Sequence, residues 1–343
     1  MGKFCPLHLG HEWLIGQALA VCDTVFILSY TKPGFHGYDR NRREAWLTAR
    51  FPKAYCLVMD DDSLAARCRA EGIATCPPIP PDDAPDNTHR AFVAWLCEKL
   101  LRTRIEAVFT SEDYGDGFAA ALSEHFGTHI EHVCVDQTRT KFPVSGTQIR
   151  ADPHGYRTYL APEIYADFVQ KICLLGGESS GKTTLAATLA QFLETLAVPE
   201  YGRTLWDEKE GKLQFPDMLY IARTQIAREN EMARQANRFL ICDTSPLTTL
   251  FYSNELFGKA APELMRLAGR SYDLIFLCAP DFAFVQDGTR RDEAFRMVQH
   301  RWYETELANR GISYVVLSGM PEKRLEQAVS ALFGMDSPGH KKT

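Results

Sequence analysis

Short apolar runs alternate along this chain with stretches whose apolar positions recur at helical spacing. Residues 11–20 read as a helix, "TVFILSY" (24–30) as a strand, and a polar loop with Gly34 and Gly37 leads to a helix near 40–50. "AYCLVM" reads as the next strand, followed by a helix near 63–71, an irregular loop "PPIPPDDAPDN", a helix near 89–102 and the strand "IEAVFTS". After "EHVCVD", "VSGTQIR" and a short helix the alternation resumes. It runs through strand 171–176, helix 181–196, helix 216–235, strands "FLICD" and "YDLIFLCA", a helix over 292–309, strand "SYVVLS" and a last helix. Leu185, Leu189, Phe192 and Leu196 share one face of the helix expected over 181–196. Such alternation predicts an α/β fold with parallel sheets covered by helices. A break near residue 168 predicts two domains, 1–168 and 169–343, and the tail "GMDSPGHKKT" is expected to fray.

The 343 residues are long for one core and suit two domains. With 45% hydrophobic and 24% charged residues, the chain has the composition of an ordinary globular protein. A net charge of −6 argues against a general nucleic-acid surface while leaving room for a local basic phosphate pocket. Ten cysteines without a CxxC pair, with Cys173, Cys242 and Cys278 inside apolar runs, read as reduced structural thiols. "LIGQALAVCDTVFIL" is broken by Gln17 and Asp23, so no targeting or membrane segment is expected and the location is expected to be cytoplasmic.

In the second half "GGESSGKTT" fits G-x-x-x-x-G-K-[ST] from Gly176 to Thr183, after an apolar strand and before a helix. Backbone amides of Gly176, Gly177, Glu178, Ser179, Ser180 and Gly181 would curl around the phosphates of ATP, with Thr184 completing the stretch. Lys182 would neutralise β/γ charge and Thr183 would hold Mg²⁺. Asp243, ending "FLICD", stands where a carboxylate reaches the metal, an N-cap or turn aspartate being the alternative. A hydroxyl acceptor has to lose its proton, which makes Glu200 of "VPEYGR" the candidate base, with Asp243 left open for that role. Tyr201, Arg203 and Trp206 are candidate acceptor-binding residues, Trp206 equally a core residue. In "QDGTRRDEAFR", Gly288, Arg290 and Arg291 read as a lid whose arginines stabilise the transferring phosphoryl group, or as a solvated basic loop.

The opening "GKFCPLHLGH" (Gly2 to His11) resembles the G-x-F-x-P-x-H-x-G-H signature of nucleotidyltransferases with a Rossmann-like core. His8 and His11 would donate to ATP phosphates, Gly10 permits close approach, and Gly2, Lys3 and Phe4 belong to the same turn. "VSGTQIR" resembles the partner motif [IV]-S-x-T-x-x-R, with Ser145 and Thr147 at a helix start and Arg150 adding charge. No carboxylate base stands out here. A phosphate-monoester nucleophile is already anionic and needs only orientation and charge stabilisation, which the histidines, Lys3, Arg150 and Mg²⁺ supply.

A nucleotidyltransferase followed by a P-loop kinase resembles the bifunctional NadR family through "GKFCPLHLGH", "TSEDYGDGFA", "VSGTQIR", "GGESSGKTT", "PEYGR", "ICDT" and "DFAFVQDGTR". The resemblance covers nearly the whole chain. It implies a Rossmann-like adenylyltransferase domain and a ribosylnicotinamide kinase domain acting consecutively on nicotinamide riboside, nicotinamide mononucleotide (NMN) and ATP to give NAD, with Mg²⁺ as cofactor. It also implies that Ser111, Asp113 and Tyr114 of "SEDYG" line the nucleotide site, a plain turn being the alternative. Longer members carry an N-terminal helix-turn-helix domain, and nothing precedes the first motif here, so no DNA-binding role is expected. Homo-oligomerisation is left open. A parallel sheet of this type needs a central first strand ending at the glycine turn, and Met1 to Phe4 supply only a fragment of it. Either the start lies upstream or the first site is weakened. Rival readings are a fused phosphopantetheine adenylyltransferase and dephospho-coenzyme A kinase, a kinase with an impaired first domain, and a nucleotide-occupied sensor.

Overall fold

A computed structural model describes residues 1–286, 288 and 290–334. Residues 335–343 of the tail expected to fray, and Asp287 and Thr289 of the lid loop, lie outside the described residues. The chain divides into two compact units, Met1–Tyr165 and Ala166–Thr343. Among the described residues no helix is long and apolar enough to cross a membrane. Every cysteine is a free thiol, and Cys173, Cys242 and Cys278 are buried.

The first unit holds four short strands, β1 (Phe26–Tyr30), β2 (Tyr55–Met59), β3 (Ala107–Thr110) and β4 (Glu131–Cys134). They form two separate parallel pairs, β1 with β2 and β3 with β4, instead of the single sheet expected. Residues 1–4 form no strand. Gly2 N–H donates to Leu28 O at 3.0 Å, and beyond it the contact to β1 is carried by side chains. The buried Arg43 donates from Nη1 to Ser29 Oγ (2.8 Å) and Lys3 O (3.3 Å), and Ser29 Oγ also donates to Lys3 O (3.2 Å). A guanidinium and a hydroxyl thus satisfy the Lys3 carbonyl.

Helices Asp61–Ala70, Asp86–Trp95 and Gly115–Phe126 contribute Leu64, Phe92 and Leu122 to a core shared with Leu57, Met59 and Val108 of the strands. The helix expected over 89–102 begins at Asp86 and continues from Leu96 to Leu100 as a π-helical turn.

The second unit has one continuous parallel sheet. β5 (Gln170–Leu175), β6 (Leu196–Val198), β7 (Phe239–Asp243), β8 (Leu274–Cys278) and β9 (Val315–Leu317) lie in the order β6-β7-β5-β8-β9. Central β5 is apolar toward both faces. Cys173 and Leu175 join one core with Leu250 and Tyr303, and Ile172 and Leu174 join another with Leu185 and Leu189. The helix expected over 181–196 ends at Phe192, because Glu194 takes a left-handed φ of 51° and Leu196 opens β6. Leu185 and Leu189 face the core as expected, whereas Phe192 is 56% exposed. Helices Tyr201–Glu208 and Pro246–Phe257 complete the site and were not singled out by periodicity.

Two candidate active sites

The P-loop springs from β5 and folds into the N-terminus of helix Lys182–Phe192. Gly176 has φ 142°, and a Cβ there would lie 2.7 Å from Cys278 O; at Gly177 it would lie 2.6 Å from Arg296 O. Backbone on both sides therefore demands glycine. Buried Arg324 donates from Nη1 to Ser180 O at 2.7 Å and so braces the loop, while buried Arg296 donates to Phe282 O at 2.9 Å in the segment after β8. Lys182 Nζ rests on the carbonyls of Gly176 (2.9 Å) and Gly177 (3.0 Å).

A cavity of about 300 Å³ opens from this loop. Glu178, Ser179, Ser180, Gly181, Lys182, Thr183 and Thr184 line it together with Glu200, Arg203, Trp206, Arg290 and Arg291. Thr183 Oγ1 donates to Asp243 Oδ2 at 2.6 Å. Asp243 is 2% exposed and its Oδ1 has no partner, so an unsatisfied buried carboxylate oxygen stands beside the Thr183 hydroxyl. That donor set fits a hard divalent cation such as Mg²⁺.

Glu200 stands at the residue before helix Tyr201–Glu208, just beyond edge strand β6, and its side chain makes no capping bond. Burial pushes its carboxyl up to about 6; Asp243 and Glu178 add to the rise, while Lys182 and Arg203 oppose it. The segment expected as a lid is fastened to the P-loop, since Arg291 N–H donates to Glu178 Oε2 (2.8 Å) and Val285 N–H to Ser179 Oγ (2.9 Å). Arg290 donates to Val285 O within that segment, and the Arg291 guanidinium lies 4.2 Å over the Phe295 ring.

Tyr201 is a correction. It is 6% exposed, packs in the core with Leu205 and carries Arg228 over its ring at 4.4 Å, so it does not line the cavity. Trp206 does line it. Sequence reasoning missed Tyr252, whose hydroxyl donates to Glu178 Oε1 (2.8 Å), and Gln225, whose Oε1 accepts from Tyr201 N–H (2.9 Å). Gln299 was missed as well, and its Oε1 accepts from Glu178 N–H (2.9 Å). All three line the cavity.

The first unit holds a cavity of about 490 Å³ lined by Gly2, Lys3, Phe4, His8, Gly10 and His11 from the opening motif and by Ser145, Thr147 and Arg150 from the second. The two motifs meet directly, because Arg150 Nη1 donates to Cys5 O at 2.5 Å and Nη2 to Thr147 Oγ1 at 2.9 Å. Ser145 caps helix Gly146–Ala151 in a reciprocal box with Gln148.

His8 caps helix Leu9–Val21, its Nδ1 accepting from Gly10 N–H at 3.2 Å. That bond places the ring proton on Nε2, leaving an outward donor. Burial and then Arg139 lower His8 to about 4, and burial, His8 and Arg139 hold His11 well below the usual histidine range. The two rings stack 3.7 Å apart, which suits neutral imidazoles.

Ser111 and Tyr114 line this cavity, while Asp113 is exposed and outside it. Phe35 and Arg139 were missed. Phe35 lies under both Lys3 (5.7 Å) and Arg150 (4.2 Å), and Arg139 pairs with Glu112 at 3.2 Å. Among the described residues no cluster of three or more His, Cys, Asp or Glu side chains forms a metal cage in either unit.

A family model described as an AAA domain matches residues 171–324. The chain is 31% identical over 304 residues to the trifunctional NAD biosynthesis/regulator protein NadR of Escherichia coli (strain K12), an alignment covering 84% of this chain and 70% of that protein. The NadR protein of Salmonella typhimurium (strain LT2) is 31% identical over 313 residues with the same coverage. Among solved structures, a NadR protein in complex with NAD and AMP-PNP superposes with a TM-score of 0.68 at 19% identity, covering 99% of this chain and 96% of that one. A NadR protein in complex with NR gives 0.68 at 18% identity, covering 100% and 96%.

Proposed function

The chain belongs to the NadR family, and from that premise we propose that it makes NAD from nicotinamide riboside in two ATP-dependent steps, one in each unit. The observation that carries this reading is that each unit has its own cavity, built on its own phosphate-handling motif.

In the second unit the riboside 5′-oxygen attacks the γ-phosphorus of ATP, the bond to the β-bridging oxygen breaks, and ADP leaves. Glu200 takes the hydroxyl proton, and a carboxyl raised to about 6 is still ionised at neutral pH while being a stronger base than an exposed glutamate. Lys182 moves from the carbonyls of Gly176 and Gly177 to the phosphates. Arg290 and Arg291 line the same cavity and add positive charge where negative charge is redistributed. Thr183 and Asp243 would hold Mg²⁺, which when bound neutralises phosphate charge. Trp206 and Tyr252 offer the acceptor's ring flat aromatic surface.

In the first unit an NMN phosphate oxygen attacks the α-phosphorus of ATP and pyrophosphate leaves. No proton has to be removed, consistent with a cavity whose motif residues include no carboxylate. His8 donates from Nε2, Arg150 and Lys3 supply charge, and the start of helix Gly146–Ala151 presents backbone amides.

ADP release measured with nicotinamide riboside, with dephospho-coenzyme A and without acceptor tests the kinase reading. Turnover is expected with the riboside alone. Turnover with dephospho-coenzyme A would overturn it.

A further inference from the structure

Cys68 and Cys76 lie outside both cavities with their sulfurs 2.8 Å apart. Cys68 sits in the last turn of helix Asp61–Ala70 and is 1% exposed, while Cys76 is half-buried. The intervening chain is turned back by Gly72 in the left-handed region (φ 67°) and by a bond from Ile73 N–H to Cys68 O (2.9 Å), so the sulfurs are brought together by backbone geometry. One sulfur that solvent reaches beside one that it does not is the arrangement of an attacking and a resolving thiol.

The chain just beyond Cys76 gives the pair a consequence. Pro77, Pro78, Pro80 and Pro81 fix φ at four of the next five positions, making a stiff segment. It is pinned midway by Ile79 N–H donating to Asp61 Oδ1 (3.1 Å) and ends at Asp82. Asp82 accepts from Lys32 N–H (3.1 Å), donates its own N–H to Lys32 O (2.6 Å) and pairs with Lys3 Nζ at 3.0 Å. Lys3 and Asp82 both line the first cavity. The segment therefore runs from the sulfur pair to a charged residue of the opening motif.

We propose that Cys68 and Cys76 are a site of reversible oxidation, and that a disulfide closed between them locks the proline segment and fixes Asp82 against Lys3 in the first cavity. The oxidant is a low-molecular-weight disulfide. The Cys76 thiolate attacks one of its sulfurs and a small thiol leaves. The Cys68 thiolate then attacks Cys76 Sγ of the mixed disulfide, and a second small thiol leaves. Two protein thiols are oxidised, one small disulfide is reduced, and both protons end on the departing thiols. Burial, then Cys68, push the Cys76 thiol up to about 11, with Arg69 opposing and Asp61 adding, so only a small fraction of Cys76 is thiolate near neutral pH and the exchange is slow there.

The test incubates the full chain with glutathione disulfide, blocks the remaining thiols and maps peptides by mass. Two of the ten thiols should be lost in a cross-link joining Cys68 to Cys76, restored by dithiothreitol. Hydrogen exchange at the amides of Ile79, Asp82 and Asp83 should slow about tenfold on oxidation of the native chain. It should be unchanged in Cys76→Ser, whose half-buried site tolerates the swap, and Cys68→Ala should give only a mixed disulfide on Cys76. A mixed disulfide on Cys76 of the native chain, or ten thiols left free, would overturn the site. A cross-link that leaves exchange at Asp82 unaltered would overturn the coupling to the cavity.

Discussion

The two cavities are prepared with opposite electrostatics. In the first unit, burial holds imidazoles neutral, with His8 lowered to about 4 and His11 lowered beside it. In the second, burial raises the carboxyl of Glu200 to about 6, which leaves it ionised at neutral pH but more basic than an exposed glutamate. The contrast matches the two nucleophiles proposed. A phosphate monoester arrives already charged and gains from neutral donors fixed in place, whereas a ribose hydroxyl has to surrender a proton to a base poised near neutrality. Desolvation thus tunes both sites, and the sign of its effect follows from the residue type placed in each.

That contrast can be broken one side at a time. Lys182→Ala should lower riboside phosphorylation by three or more orders of magnitude and leave adenylyl transfer to NMN unchanged. Parallel assays of ADP from the riboside and of pyrophosphate from NMN check it, and a fall in both would merge the two sites.

Glu200→Gln should lower the kinase turnover number by about a hundredfold with little change in riboside KM, because the base acts only as the proton leaves. Steady-state kinetics decide this, and a change confined to KM would make Glu200 a binding residue.

Acid should separate the units. Unfolded histidine takes up its proton near 6.5, while folded His8 resists until about 4. Between those values the unfolded state binds more protons, so stability falls as pH falls, by roughly 3 kcal/mol at the lower end from this group. Glu200 has the opposite sign, because its folded carboxyl takes up a proton before the unfolded one does as pH falls through about 6, which favours the folded second unit. Calorimetry at pH 7 and pH 5 should show the transition of the first unit moving down further than that of the second, and equal shifts would contradict it. The smallest effect is on rate: kinase turnover should fall about tenfold per pH unit below about 6, where adenylyl transfer should stay flatter.

The sequence was most legible where chemistry sits at the end of an apolar run. β5 leads into the P-loop, and β7 ends at Asp243. It was least legible where a helix face had to be known. Tyr201, Arg203 and Trp206 looked equivalent until helix Tyr201–Glu208 was placed. Tyr201 and Leu205, four apart, then share the buried face, and Arg203 and Trp206, three apart, share the cavity face. Gln225 and Tyr252 come from helices whose apolar pattern reports burial and says nothing of an open cavity beside it. In the first unit the arrangement of the strands as two separate pairs, with Arg43 and Ser29 holding the Lys3 carbonyl, was not readable, because it depends on side chains far apart in sequence.

The most direct test of two sites acting in series is to supply nicotinamide riboside and excess MgATP to the intact chain and follow all products over time by chromatography. NMN should rise first and then decline, and at completion NAD, ADP and pyrophosphate should be present in equal amounts. ADP and NMN accumulating without NAD or pyrophosphate, or ADP forming independently of the riboside, would contradict it.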